Sequence, residues 1–535
     1  MRNFQVPGRS PARATRMMAA TSHTAATSAA LQVMGAGGNA VDGALAACGV
    51  LSVVEPHMTG IGGDCFAIIA QPDGSLHGIN GSGRAPAALD ADMLRSEGHQ
   101  KVPNTHVHSI TVPGALRGFE RMAAGFGTRR FEDMLEPAIR LAHDGYFLSD
   151  RVAYDWTKES LKAGVAGDPV LTRMFLQGGR TPVAGDRMVW PQLATTLETI
   201  ARDGIESFYT GPIGQDIVSH IRDLGGVMTL SDLAACKADM VTPITADYRG
   251  LTVAELPPNG QGVVALIALK ILERFDLASL DPHGAERLHL ELEACRIAYA
   301  VRDAYVGDFD TSVDAQQLYS EAAIDHLVGQ IDPSTRNNSY TLPDVPMSGT
   351  VYLSTADEEG RMVSLIYSVY GDFGAMTATE KTGIVLQNRG SCFSLEAGHP
   401  NELRGGKRPM HTIIPAMALK DGVPAMSFGV MGGPYQPTGH THFITNMVDF
   451  RMDPQAALDD PRVFWQVPAP EGEQARTLVE TALGADVIDG LNAKGHKAVS
   501  APYPIGGGQA IWRDAATGQL TGGSDPRKDG CAAGI

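Results

Sequence analysis

One stretch, GTVYLSTADEEGRMVSLIYS from Gly349 to Ser368, constrains the fold of this 535-residue chain more than any other. Two runs rich in β-branched and aromatic residues flank Asp357-Glu358-Glu359-Gly360, a pattern that predicts a β-hairpin. A three-residue loop of Glu358, Glu359 and Gly360, with the glycine in the left-handed region, sets Asp357 opposite Arg361. Counting back along both strands sets Thr350 opposite Ser368, so two hydroxyls share one face. Val351, Leu353, Val363, Leu365 and Tyr367 form the other face, which reads as core. A slip of one residue would separate the hydroxyls. Upstream, Ile331 to Gly349 is rich in Asp, Pro, Ser, Thr and Asn, the composition of an exposed, flexible connection, and it stops at Thr350.

The rest of the chain supplies a frame for that hairpin. Ser22 to Val54 reads as two Ala-rich helices broken at Gly35-Ala36-Gly37-Gly38. Gly60-Ile61-Gly62-Gly63 then leads into an apolar strand at Phe66–Ile69, and its glycines imply a close approach to a ligand or to another backbone. From Pro113 to Leu327 the pattern is mostly helical, with Leu288, Leu292, Cys295, Ala298 and Tyr299 on one helix face. Length alone suggests two or three domains.

Charge and cysteine usage narrow the function. A formal net charge of −17 with no long basic run disfavours nucleic acid and anionic membranes as partners. The six cysteines lack CxxC spacing, which fits a reducing compartment. The N-terminal MRNFQVPGRSPARAT lacks the apolar stretch of a signal peptide, and no run of about 18 apolar residues follows, so a cytoplasmic location is expected.

An internal threonine is a weak nucleophile, but a threonine at a newly made N-terminus has its own amine beside it as general base. That amine has an intrinsic pKa of roughly 7.7–8.0, close to working pH. A mobile segment ending in Gly-Thr is what such a system requires. In PAMSFGVMGGP, a strand runs into Gly432-Gly433, and consecutive glycines can turn two N–H groups inward as an oxyanion hole or simply make a turn. Two HxH pairs, His106/His108 and His440/His442, raise metal-dependent amide hydrolysis as an alternative, since a strand would put each pair on one face. No CxxC, HExxH or well-placed carboxylate accompanies them.

The motifs AGGNAVDGALAA, GIGGDCF, LPPNGQG, HLELEACRIAYAVRDAYVGD, GTVYLSTADEEG, TGIVLQNRG, GKRPMHTIIPAM and GVMGGP, in this order, resemble the γ-glutamyltransferase family of N-terminal-nucleophile hydrolases. The resemblance runs from about Ala19 to Gly534. It implies an α/β fold, a four-layer αββα sandwich, built as one structural domain from a precursor cut between Gly349 and Thr350. Residues 1–349 would form a large subunit and 350–535 a small one, the two staying associated. Thr350 would be the nucleophile, Ser368 its supporting hydroxyl, and Gly432 and Gly433 the oxyanion hole. No cofactor or metal is implied.

The substrate-side positions depart from the γ-glutamyl pattern. The family's carboxylate-gripping arginine falls on Ser82, its acid for the substrate ammonium on Cys392, an asparagine on Tyr370, and its paired serines on His411 and Thr412. A thiol cannot act as counter-ion to an ammonium. Arg389 and Arg84 remain as candidates to grip a carboxylate. With GSGRAP, QNRG and the His after KRPM, the chain is most similar to the oxamate amidohydrolase branch, which implies a small carboxylate-bearing amide as substrate. γ-Glutamyl compounds such as glutathione, bulkier acyl amides of the cephalosporin-acylase kind, and an uncleaved binding protein are the alternatives.

Overall fold

The computed structural model describes residues 8–308, 314–339, 349–465 and 476–535. Two seven-stranded sheets pack face to face. The first runs Cys531–Gly534, Met18–Thr21, Gly349–Ala356, Met362–Tyr370, Asp64–Ala70, Leu76–Gly81 and Asp239–Val241. The second runs Ala12–Ala14, Leu520–Ser524, Gly507–Arg513, Val423–Met431, Ala416–Lys420, Leu251–Glu255 and Ile244–Tyr248. All pairings within both sheets are antiparallel.

Helices cover the outer faces. Ala40–Val54 lies on the Gly349–Ala356 and Met362–Tyr370 strands, while Gly262–Leu272 and Gln436–Val448 lie on the second sheet. This is the expected αββα sandwich, with one apolar core on the first sheet and its helices and another beneath the second sheet's helices. Helix Ala40–Val54 forms where the alanine content predicted, started by a capping box in which Asn39 and Asp42 satisfy each other's backbone N–H groups. The first helix, Thr24–Gly35, ends at the predicted glycine breaker.

The hairpin has the predicted loop. Gly360 sits at φ +93°, and Asp357 N–H donates to Arg361 O at 3.1 Å. Leu353 pairs with Leu365 and Val351 with Tyr367, but a bulge follows, and Gly349 pairs with Tyr370. Both faces of the hairpin are buried, because this sheet is an inner layer. The odd-numbered side chains face the helices, as Tyr367 against Phe119 and Thr355 Oγ1 donating to Ala40 O indicate. The even-numbered ones face the other sheet. Tyr352 and Ser364 share a 2.8 Å hydrogen bond there, and Ser354 bonds Ser427 across the gap.

The Pro113–Leu327 region is mostly helical, as expected, and also supplies strands: Asp239–Val241 closes an edge of the first sheet, and Ile244–Tyr248 with Leu251–Glu255 closes an edge of the second. The glycines at 62 and 63 approach other backbone. A Cβ at Gly62 would lie 2.2 Å from Val385 O, and one at Gly63 2.3 Å from Ser368 O. Residues 331–339 are half-buried to exposed, and the remainder of the predicted connection, 340–348, lies outside the described residues. Among the described residues no helix is long and apolar enough to cross a membrane.

Candidate active site

Thr350 and Ser368 meet at the end of the hairpin, fully buried. Thr350 Oγ1 lies 2.6 Å from Gly349 O and 3.3 Å from Ser368 Oγ. Ser368 Oγ donates to the same Gly349 carbonyl at 2.8 Å and accepts from Tyr370 N–H at 2.8 Å. The bulge makes this possible, because it swings Gly349 past Ser368 towards Tyr370. Tyr370 takes φ +74°, a conformation costing a non-glycine residue about 1–3 kcal/mol, and its ring stacks on Arg389, 4.2 Å from the guanidinium carbon.

Arg389 is fully buried. Its backbone is set by Asn388, whose N–H donates to Val369 O at 3.2 Å and whose Oδ1 accepts from Gly371 N–H at 2.8 Å. The guanidinium donates to Thr412 Oγ1 at 2.8 Å and to Ser368 Oγ at 3.5 Å, and approaches Cys392 Sγ at 4.0 Å. No carboxylate among the described residues pairs with it, and its Nε has no hydrogen-bond partner there.

His411 lies behind Thr412. Burial, with Arg389 close by, pulls its imidazole down to about 3, so the ring is neutral. In the tautomer that satisfies its neighbours, Nε2–H donates to Asp64 Oδ2 at 3.1 Å and Nδ1 accepts from Ile413 N–H at 3.4 Å. Asp64 Oδ1 accepts from Gly83 N–H, Gly114 N–H and Gln387 Nε2, at 2.9, 3.0 and 2.9 Å. Every face of that carboxylate is occupied. Ser82 is one step further out, bonded to Asn80 Oδ1 at 2.6 Å and reached by Asn259 Nδ2 at 3.3 Å.

Gly432 and Gly433 follow the Val423–Met431 strand at φ +129° and +58°, a turn that side chains rarely tolerate. Gln261 ties them to the cluster, donating from Nε2 to Thr412 O at 2.7 Å and to Gly433 O at 3.3 Å.

Arg84 is not brought here. Its guanidinium, 45% exposed, pairs with Asp308 at 3.1 Å and Asp239 at 3.9 Å and donates to Gly406 O. The histidine pairs also differ from expectation. His440 and His442 lie on helix Gln436–Val448, not a strand, and they diverge: His440 bonds Glu255 at 2.7 Å, whereas His442 bonds Glu291 at 2.9 Å and has Asp460 at 3.0 Å as an ion-pair neighbour. His106 and His108 lie on a short 3₁₀ turn and its cap. His106 clusters with Glu97 and His99, but its Nδ1 accepts from His108 N–H at 3.2 Å. The proton of the neutral ring therefore sits on Nε2, facing Glu97 Oε2, which is not a ligating tautomer.

Asp64, Gln261, Gln387 and Asn388 were not singled out in the sequence, although each lies within or beside one of the quoted motifs.

The family model for Gamma-glutamyltranspeptidase matches residues 26–535. The glutathione hydrolase-like YwrD proenzyme of Bacillus subtilis is 35% identical over 531 residues, 97% of this chain and 99% of that relative. The oxamate amidohydrolase proenzyme of Klebsiella pneumoniae is 33% identical, over 97% of this chain and 98% of its own. Among solved structures, the cephalosporin acylase from Bacillus halodurans superposes with a TM-score of 0.91 at 38% identity, covering 100% of this chain and 99% of that one. A match of family model, sequence and fold over nearly the whole length makes this chain a member of the γ-glutamyltranspeptidase family of N-terminal-nucleophile hydrolases.

Proposed function

We propose that the chain is a precursor that cuts itself between Gly349 and Thr350, then hydrolyses small amides whose acyl half carries a carboxylate, oxamate among them. The observation that carries the substrate reading is Arg389, a fully buried guanidinium beside Ser368 with no carboxylate partner among the described residues. A buried charge without a counter-ion is costly, and a bound carboxylate removes that cost while filling the bidentate fork. A γ-glutamyl group would bring an ammonium as well. The neighbouring carboxylate, Asp64, is saturated with donors, and Cys392 stands where an acid would be needed.

The chemistry runs in two rounds. In the first, Thr350 Oγ1 attacks the Gly349 carbonyl carbon, whose oxygen Ser368 Oγ already polarises at 2.8 Å. As the Gly349–Thr350 C–N bond breaks, the Thr350 hydroxyl proton passes to the departing nitrogen and an ester joins Gly349 to Oγ1; water hydrolyses that ester, leaving a carboxylate on Gly349 and a free hydroxyl and α-amine on Thr350. In the second, that amine takes the Thr350 hydroxyl proton as Oγ1 attacks the substrate carbonyl, with Gly432 and Gly433 N–H groups receiving the oxyanion. The substrate C–N bond breaks, the amine leaves with the proton, and water hydrolyses the acyl ester. Residues 1–349 and 350–535 remain one particle throughout.

A denaturing gel should show two fragments for the wild type and one band for Thr350→Ala, which should also lose amide hydrolysis. Native gel filtration should show the two wild-type fragments eluting together. Ammonia release from oxamate should exceed aniline release from a γ-glutamyl anilide. Arg389→Ala should raise KM for oxamate roughly 30- to 1,000-fold, the loss of a buried charged hydrogen-bond pair. A full-length band that hydrolyses amides would overturn the mechanism, and an unchanged KM would overturn the carboxylate reading.

A further inference from the structure

Gln261 is fully buried and touches three parts of the site at once. It immediately precedes helix Gly262–Leu272, and its backbone N–H donates to His411 O at 3.0 Å. Its side-chain Nε2 donates to Thr412 O at 2.7 Å and to Gly433 O at 3.3 Å. Which end of the amide faces these carbonyls is fixed from behind. Arg302, also fully buried, donates from Nη1 to Gln261 Oε1 at 2.7 Å, and a guanidinium has no acceptor to offer, so the NH2 end must face the carbonyls. Arg302 is itself held by Asp303 Oδ1, 2.8 Å from Nε, and by the Tyr299 ring, 4.5 Å from its guanidinium carbon.

The two carbonyls belong to the two ends of the acyl site. Thr412 Oγ1 accepts from Arg389 at 2.8 Å, so its segment carries the carboxylate grip. Gly433 belongs to the turn that would receive the oxyanion. A Gly-Gly turn has little conformational preference of its own, so its peptide planes follow whatever holds their carbonyls. Tyr435 N–H donates to Gly432 O at 3.1 Å, the Tyr299 hydroxyl donates to Pro434 O, and Gln261 holds the carbonyl between them. Of these three holders, Gln261 is the one that also bonds the Thr412 segment. The gap between grip and nucleophile is short: a single atom, Ser368 Oγ, lies 3.5 Å from Arg389 and 3.3 Å from Thr350 Oγ1.

We propose that Gln261 is a positioning residue that sets acyl length: by holding Thr412 and Gly433 to one amide nitrogen it fixes the separation of carboxylate grip and oxyanion turn, and so selects acyl groups whose carboxylate is bonded directly to the scissile carbonyl. The proposal rests on Arg389 taking the substrate carboxylate and on the Gly432-Gly433 turn taking the oxyanion. With that separation fixed, an inserted methylene moves the scissile carbonyl off the turn when the carboxylate is seated. Seating the carbonyl instead draws the carboxylate off the guanidinium. Either misfit costs an added methylene about 10- to 200-fold, the usual range for one methylene in a shaped pocket.

The test follows ammonia release from oxamate, malonamate and succinamate, which place no, one and two methylenes between carboxylate and amide carbonyl, using self-cleaved protein. The wild type should prefer oxamate to succinamate at least about 100-fold in kcat/KM. Gln261→Met keeps the side-chain volume and loses both polar ends, whereas Gln261→Glu keeps Arg302 as a partner and loses the donor. Each should bring the ratio below about tenfold, to the range of a single methylene. The loss should fall on kcat for oxamate more than on KM, because Arg389 and Thr412 Oγ1 remain to hold the carboxylate. All three substrates are assayed on one preparation, so loss of folded protein does not move the ratio. A flat wild-type profile, or a ratio that survives both variants, overturns the length selection and leaves the carboxylate reading standing. Failure of both variants to self-cleave overturns it as well, since Gln261 would then serve the cut. If the wild type hydrolyses none of the three, the carboxylate reading has failed and the length selection falls with it.

Discussion

Ser368 holds the residue-scale logic of the site. Its hydroxyl donates to Gly349 O, accepts from Tyr370 N–H and sits 3.5 Å from Arg389, so one oxygen links the proposed cleavage bond, the strained tyrosine and the buried cation. Ser368→Ala should slow self-cleavage on the order of 10²-fold, the usual effect of removing one donor to a developing oxyanion. It should cost only about 1–3 kcal/mol in stability, for the N–H left unpaired. A time course on denaturing gels reads the rate, and cleavage at the wild-type rate would refute the role. Thr350 and Ser368 were legible together because a hairpin register is a local count. The neutral His411–Asp64 pair was not, since its members are 347 residues apart. Arg84 was misjudged for the same reason: the direction of a guanidinium is set by its acids, and Asp308 lies 224 residues away.

At the scale of elements, the end of the Met362–Tyr370 strand is held by what packs against its backbone. Gly63 is the tightest such contact, a Cβ there lying 2.3 Å from Ser368 O, while its own carbonyl accepts from Gly114 and Ala115 N–H. Gly63→Ala must push the strand end aside, which typically costs about 1–3 kcal/mol in an overpacked core. Because the displaced residue is Ser368, self-cleavage should suffer beyond what the lost stability explains. The expected result is a folded protein by circular dichroism that remains mostly one band on a gel, and cleavage at the wild-type rate would count against this coupling. The long, alanine-rich helices were readable from composition and caps. The short strands Met18–Thr21 and Cys531–Gly534, reading MAAT and CAAG, were not, because their extended form comes from pairing with each other and not from propensity. His440-Thr441-His442 misled in the opposite sense. Its alternation suggested a strand, whereas Pro437 in the first turn, after the Gly432-Gly433 turn, marks a helix start.

In the whole molecule, the two sides of Gly349 are interleaved strand by strand. The Gly349–Ala356 and Met362–Tyr370 hairpin lies between Met18–Thr21 and Asp64–Ala70, and Ala416–Lys420 pairs with Leu251–Glu255. Cutting one bond separates no layer from another, which is why cleavage is expected to leave a single particle. The same burial makes the assembly sensitive to acid. Burial pulls His411 and His440 down to about 3, against an unfolded value near 6.5. For His440 the neutral form is fixed by geometry, because Nε2 accepts Val430 N–H at 3.1 Å. Between pH 6.5 and 3 the unfolded chain binds protons that the folded chain refuses, so stability falls as pH falls through that window. Each ring contributes on the order of 1 kcal/mol per pH unit. The urea midpoint of uncleaved Thr350→Ala protein should therefore drop steadily from pH 7 to pH 5, and His411→Gln should make that drop shallower. A midpoint that stays level over this range would mean that these histidines can charge inside the fold, contrary to their packing.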